Sequence, residues 1–173
     1  MKKTILKYGL ISGALVTIMM VIMSIMMYND PNFHGSMVAG FASMLIAFSF
    51  IFIGIKNFRD KQNGGTISFG KAFMIGFFIA LIASACYVTV WMIEHHFFFP
   101  DFMEKYAALA IKNAKEAGAG VVEIQQKTAE MEDMKASYKN PWLRILYTLA
   151  EILPVGIVVT LISALILMKK VKQ

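Results

Sequence analysis

Charge is scarce in this sequence. Asp, Glu, Lys and Arg together make up 16% of it, against about 25% in soluble domains. Cysteine is scarcer still: Cys86 stands alone, so a disulfide framework is excluded and the thiol acts as a small hydrophobe within an apolar stretch. No repeat or low-complexity tract is present. There is no HExxH spacing, no Ser–His–acid set at a supported location and no pair of glycosidase-like carboxylates. Catalysis therefore has little footing, and no catalytic residue, metal or cofactor is expected.

What is present is apolar. Hydrophobic residues form 58% of the chain, and residues 8–28, 35–55, 72–93 and 152–168 contain no Asp, Glu, Lys or Arg. A helix rises 1.5 Å per residue, so about 17–25 apolar residues match the hydrocarbon layer of a bilayer. A chain of 173 residues could not hide four such runs from water. The expected fold is all-α and integral to a membrane, as a single domain over residues 1–173. Its transmembrane helices are expected at about 8–28, 35–55, 72–93 and 145–168. The first run has a basic start, but it is longer than a signal-peptide core and lacks a small-residue cleavage site, so an uncleaved span is expected.

The net charge of +6 could suggest a nucleic-acid partner, but its distribution points to membrane topology instead. Lys2, Lys3 and Lys7 precede the first run. Lys56, Arg59, Lys61 and Lys71 lie between the second and third, with Asp60 the sole acid there. Lys169, Lys170 and Lys172 follow the fourth. Residues 29–34 carry only Asp30, and residues 94–144 mix both signs almost evenly. The positive-inside rule then puts both termini and the 56–71 loop in the cytoplasm, with anionic lipid head groups attracting the excess charge.

Between the spans, Asn29-Asp30-Pro31-Asn32-Phe33-His34 reads as a tight turn, and Asn63-Gly64-Gly65 as another. Thr66 to Phe69 alternates polar and apolar. The outer segment 101–139 reads as an amphipathic helical hairpin between the third and fourth spans. Asp101 and Glu104 have capping-box spacing, which starts a helix near Phe102, with Phe102, Tyr106 and Leu109 on one face. Ala117-Gly118-Ala119-Gly120 breaks it. Val121, Ile124, Thr128, Met131, Met134 and Tyr138 then recur at helical steps. Asn140 and Pro141 suit the N-cap and first turn of the last helix, and Trp142 suits a membrane interface. Small residues recur every four positions: Gly9 and Gly13; Ala39, Ser43 and Ala47; Gly76, Ala80 and Ser84; Gly156, Thr160 and Ala164. Such rows let backbones approach closely in lipid. They are expected to be the seams of one bundle, with a homo-oligomer interface as the alternative.

Few residues could carry chemistry. Gly65-Thr66-Ile67-Ser68-Phe69-Gly70-Lys71 resembles a phosphate-cradling loop, but Ala72 stands where Ser or Thr must hold Mg²⁺; a cytoplasmic elbow is expected. Glu94, His95, His96 and Asp101, with Asp30 and His34, are possible ligands on one side of the membrane. Adjacent helical residues point about 100° apart, so His95 and His96 cannot share one ion on a regular helix. Interfacial polar residues, followed by a Phe97-Phe98-Phe99-Pro100 stop, are the expected account. Glu151 is the sharpest residue, roughly 15 Å into its helix. A charge at the membrane centre costs roughly 2.5–3.5 kcal/mol, and Pro154 frees a backbone carbonyl near Ala150. A structural contact to Tyr147, Arg144 or another helix is the favoured reading; an ion or proton site and simple snorkelling are the others.

Together, residues 54–60, 64–73, 99–102, and 151–156 through Lys169-Lys170 resemble the bacterial domain of unknown function 4199 family. That resemblance, running nearly end to end, implies a small four-helix inner-membrane protein and transfers no activity. The expected function is a non-enzymatic structural or interaction component of the bacterial cytoplasmic membrane. Its expected partners are the lipid bilayer, an envelope protein at the outer hairpin, and a second copy of the chain. The competing expectation is a small ion- or proton-coupled transporter or channel using Glu151.

Overall fold

The structure is a computed structural model describing residues 1–29 and 37–169. These described residues form six helices: α1 (Lys2–Asn29), α2 (Met37–Gln62), α3 (Phe69–Phe97), α4 (Phe102–Glu116), α5 (Val121–Tyr138) and α6 (Pro141–Leu167). Helices α1, α2, α3 and α6 are long and apolar enough to cross a membrane. Each extends past its charge-free run at one end or both; in α1 and α2 the flanking Lys, Arg and Gln residues are good helix formers. The 29–34 turn, with Asp30 and His34, lies outside the described residues apart from Asn29.

The helices stop and start where local chemistry dictates. Asn140 accepts the Trp142 backbone N–H at 2.9 Å, with Pro141 opening α6. Ser68 similarly accepts from the Lys71 N–H at 3.4 Å to open α3. Gly64 and Gly65, at φ of +62° and +78°, make the left-handed turn that other residues disfavour. Gly118, at φ +83°, reverses the chain between α4 and α5. The expected capping box is not formed. Asp101 makes no side-chain cap to α4, because its carboxylate is taken by Tyr28 on α1, which donates at 2.7 Å.

The small-residue rows form the seams. A Cβ added at Gly76 would meet Thr160 Cγ2 at 2.7 Å, and one at Gly156 would meet Ala80 Cβ at 2.8 Å. The α3 and α6 rows thus interlock in antiparallel register. Gly9 lies against Ile82, and Gly13 against Cys86 and Ala83, so α1 and α3 run parallel. Ser12 donates to the Ala47 carbonyl at 2.8 Å, tying α1 to α2. Helices α2 and α3 form the centre, with α1 and α6 on opposite sides of them. The core fills with Phe48, Ile51, Ile55, Ile75, Ile79 and Ile152, all buried. Ala39 departs from its expected row: it is exposed, while Ser43 and Ala47 are buried.

One end of the bundle is closed by polar clips. Ile67 and Lys169 exchange two backbone hydrogen bonds of 3.1 and 2.9 Å, which absorbs the alternation around residue 67. Arg59 caps the α6 C-terminus through the Leu167 carbonyl at 3.2 Å. Gln62 donates to Thr4 at 2.7 Å and accepts from the terminal ammonium at 3.2 Å. Lys71 is drawn onto Asn63 at 2.7 Å and over the Phe58 ring, so the phosphate-loop resemblance is used as an elbow.

The seam yields a paired prediction. Gly156→Val should destabilise the protein by about 1–3 kcal/mol through overpacking against Ala80. Gly40→Ala, with open space around its Cβ, should be neutral or stabilising by about 0.5–1 kcal/mol. Thermal unfolding in detergent reads both; equal shifts would contradict the seam.

Candidate functional site

The opposite end of the bundle gathers the unusual side chains. Trp91, Glu94, His95 and His96 lie on the last turns of α3, Tyr138 at the end of α5, and Arg144, Tyr147 and Thr148 on the first turns of α6. The α3 helix closes by folding the Phe98 and Phe99 N–H groups back on the Glu94 carbonyl, at 2.8 and 2.9 Å. Pro100 and Asp101 then turn the chain into α4.

Arg144 and Tyr138 form a clamp between the hairpin and the bundle. Arg144 is 9% exposed. Its Nε and Nη2 donate to the Tyr138 carbonyl at 3.2 and 2.9 Å, and its Nη1 meets His95 Nδ1 at 2.8 Å. A guanidinium has only donors, so His95 Nδ1 accepts and the ring is the neutral Nε2–H tautomer. The Tyr138 carbonyl ends α5, so the cation also offsets that helix's negative pole. Trp91 donates its indole N–H to the Tyr138 hydroxyl at 2.8 Å and meets the Phe102 ring edge-on at 4.6 Å. Burial pushes the Tyr138 phenol above its ordinary range, which keeps it protonated.

A second tie joins α1 to the start of α4. Besides the Tyr28–Asp101 bond, Lys105 sits 3.2 Å over the Tyr28 ring and 3.8 Å from Asp101. The Tyr28 hydroxyl beside Asp101, then a backbone hydrogen bond and last Lys105, hold that carboxyl below the usual carboxylate range.

The residues singled out from sequence do not converge. His95 faces Arg144, His96 is exposed and meets Phe97 edge-on at 4.6 Å, and Asp101 faces Tyr28. Glu94 is 7% exposed, and its Oε2 has no hydrogen-bond partner. Among the described residues no three His, Cys, Asp or Glu side chains group to hold a metal. Glu151 corrects its favoured reading. It is exposed on the outer face of α6 and forms no hydrogen bond or ion pair among the described residues. Arg144, the suggested partner, is engaged by Tyr138 and His95. Pro154 follows on the same exposed face.

The face of α4 shifts from its expected phase, while that of α5 largely keeps it. In α4 the buried residues are Met103 and Ala107, while Tyr106 is exposed. In α5 Met131 is buried and Ile124, Met134 and Tyr138 are partly buried, as the stripe requires, while Val121 and Thr128 are exposed. The clamp was missed as a unit. The signal was an arginine beside an apolar run, with Trp and Tyr nearby in sequence on both sides.

The match to known families decides what this bundle is. A family model described as "Protein of unknown function (DUF4199)" covers residues 7–169. The chain belongs to the DUF4199 family. No curated protein and no solved structure matches it. The family match takes in most of α1, all of α2 to α6 and the whole clamp.

Two substitutions test this end. Tyr138→Phe leaves the buried Trp91 indole N–H unpaired and should cost about 1–3 kcal/mol, with α4 and α5 losing hydrogen-exchange protection before the bundle does. Tyr28→Phe should move Asp101 back toward the ordinary range. A carboxyl held low stabilises above its unfolded range and loses that contribution as pH falls through its folded value. Protection of α4 should therefore drop on acidification in the parent and vary less with pH in Tyr28→Phe.

Proposed function

We propose that this DUF4199 protein is a non-enzymatic, multi-pass component of the bacterial cytoplasmic membrane that engages another envelope protein through its outer hairpin. Both termini face the cytoplasm in this reading. The fold supports that sidedness by bringing Lys2, Lys3, Lys7, Lys56, Arg59, Lys61, Lys71 and Lys169 to one end, the pattern of the positive-inside rule. The α4–α5 hairpin then stands outside.

The observation that carries the interaction role is the hairpin's tip. Val121 and Val122 open α5 at 75% and 68% exposure, far from the Arg144 clamp that holds the other end of α5. A rigidly held hairpin that presents adjacent apolar residues to water is suited to meet a partner. Met131 lies inside the hairpin and is unavailable for contact. Val121→Ser with Val122→Ser should leave the fold intact and reduce recovery of cross-linked envelope partners in detergent pull-downs. Unchanged recovery would remove the binding role.

A second reading rests on Glu151. A carboxylate on an apolar helix face, unpartnered and three residues before Pro154, is a group that lipid penalises unless it takes a proton, an ion or a partner. In this reading Glu151 couples ions or protons across the membrane. Glu151→Gln should abolish flux in proteoliposomes at unchanged thermal stability; equal flux would remove it.

A further inference from the structure

Arg144 carries a buried positive charge with no ion-pair partner among the described residues, although Glu104 and Glu132 share a second depression with it on the hairpin side. Its acceptors, the Tyr138 carbonyl and the His95 ring nitrogen, are both uncharged. No Asp or Glu among the described residues forms an ion pair with it. A buried charge is expensive unless it is paired. Of the five N–H groups of a guanidinium, three are engaged in those contacts, which leaves donors for another acceptor.

Arg144 lines an open depression between the end of α3 and the start of α6, together with Lys139, His96, Met92, Ile93 and Phe97. Among the described residues, every ionisable side chain on that wall is basic. Lys139 and His96 are exposed, and the Lys139 ammonium has no hydrogen bond or ion pair among the described residues. The lower wall, Met92 and Ile93, belongs to the apolar stretch of α3. Phe97, 71% exposed, lines the depression, and Trp142, 74% exposed, follows its lining residue Pro141; tryptophan is a residue type that settles at the head-group level of a bilayer. The positive pole of α6 opens beside them, with Asn140 and Pro141 at its first turn.

We propose that this depression binds the phosphodiester head group of an anionic membrane phospholipid. The phosphate oxygens accept from the remaining Arg144 donors and from Lys139, as phosphates do from forked guanidinium and ammonium groups. His96 donates at the rim. One acyl chain descends along Met92 and Ile93. The site needs both a phosphate and a chain, because its charged wall passes directly into its apolar one. The bound lipid supplies the counter-charge that Arg144 lacks, and so supports the clamp holding the hairpin.

The test is lipid retention by the full-length protein in native mass spectrometry, after delipidation and exposure to phosphatidylglycerol or phosphatidylcholine of identical chains. Arg144 also holds the hairpin, so Lys139→Gln is the primary variant and His96→Gln the second. Lys115→Gln, an equal charge loss on the exposed end of α4, is the control. Phosphatidylglycerol should be retained in preference to phosphatidylcholine. Lys139→Gln should weaken its retention roughly fivefold, the effect of one surface cation on an anionic lipid. His96→Gln should weaken it in the same direction, and Lys115→Gln should leave it unchanged. Soluble glycerol phosphate should not displace the lipid. Equal retention of the two lipids, equal loss in Lys139→Gln and Lys115→Gln, or displacement by glycerol phosphate would overturn the proposal.

Discussion

The close approach of α3 and α6 at Gly76–Thr160 and Gly156–Ala80 is the constraint on which the rest of the structure depends. Lipid is as apolar as leucine, so helices surrounded by it gain little from hiding hydrophobic surface from one another. What holds them is dispersion, and dispersion needs backbones in contact. Glycine and alanine on facing stripes provide that contact. Once α3 and α6 are registered there, Phe48 of α2 is set against Gly156, and Ile51 and Ile55 against Gly76. Helix α1 then closes on the far side through Gly9 and Gly13. The same register brings the first turns of α6 alongside the last turns of α3, which is where Arg144 meets His95.

The clamp follows from that register, and it converts the hairpin from an appendage into part of the bundle. Arg144 comes from a long apolar helix, Tyr138 from the hairpin, and Trp91 and His95 from the neighbouring apolar helix. The chain leaves α5 and enters α6 through Lys139 and Asn140 alone, so a contact that fixes Tyr138 also fixes the direction of the hairpin. At the other end of the hairpin, Asp101 is tied to α1 through Tyr28. The hairpin is therefore held at both of its junctions with the bundle, while its tip, around Val121, is left free.

Much of this was legible in the sequence, for identifiable reasons. The long helices were readable because four charge-free runs of membrane length have no other economical explanation. The start of α6 was readable from Asn140-Pro141, and the hairpin break from Gly118, because those residues act through their own backbone neighbours. The outward orientation of Glu151 was also available. The Gly156, Thr160, Ala164 row defines the inner stripe of α6, and a residue five positions before Gly156 lies about 140° around the helix from it. The Arg144 clamp could not be read in the same way, since it joins residues from three elements whose meeting depends on the α3–α6 register. The Asp101 capping box failed for the same reason: a tertiary partner, Tyr28, outbid the local backbone.

The most direct test is spin-label scanning of α6 from Ile157 to Leu167 in a Cys86→Ala background, reconstituted in liposomes. The account predicts high oxygen accessibility at Val158, Leu161, Ile162 and Leu165, low values at Thr160, Ser163, Ala164 and Leu167, and exclusion of a water-soluble nickel chelate throughout. A flat oxygen profile would contradict the small-residue seam. Nickel access along the outward face would contradict the claim that lipid surrounds it.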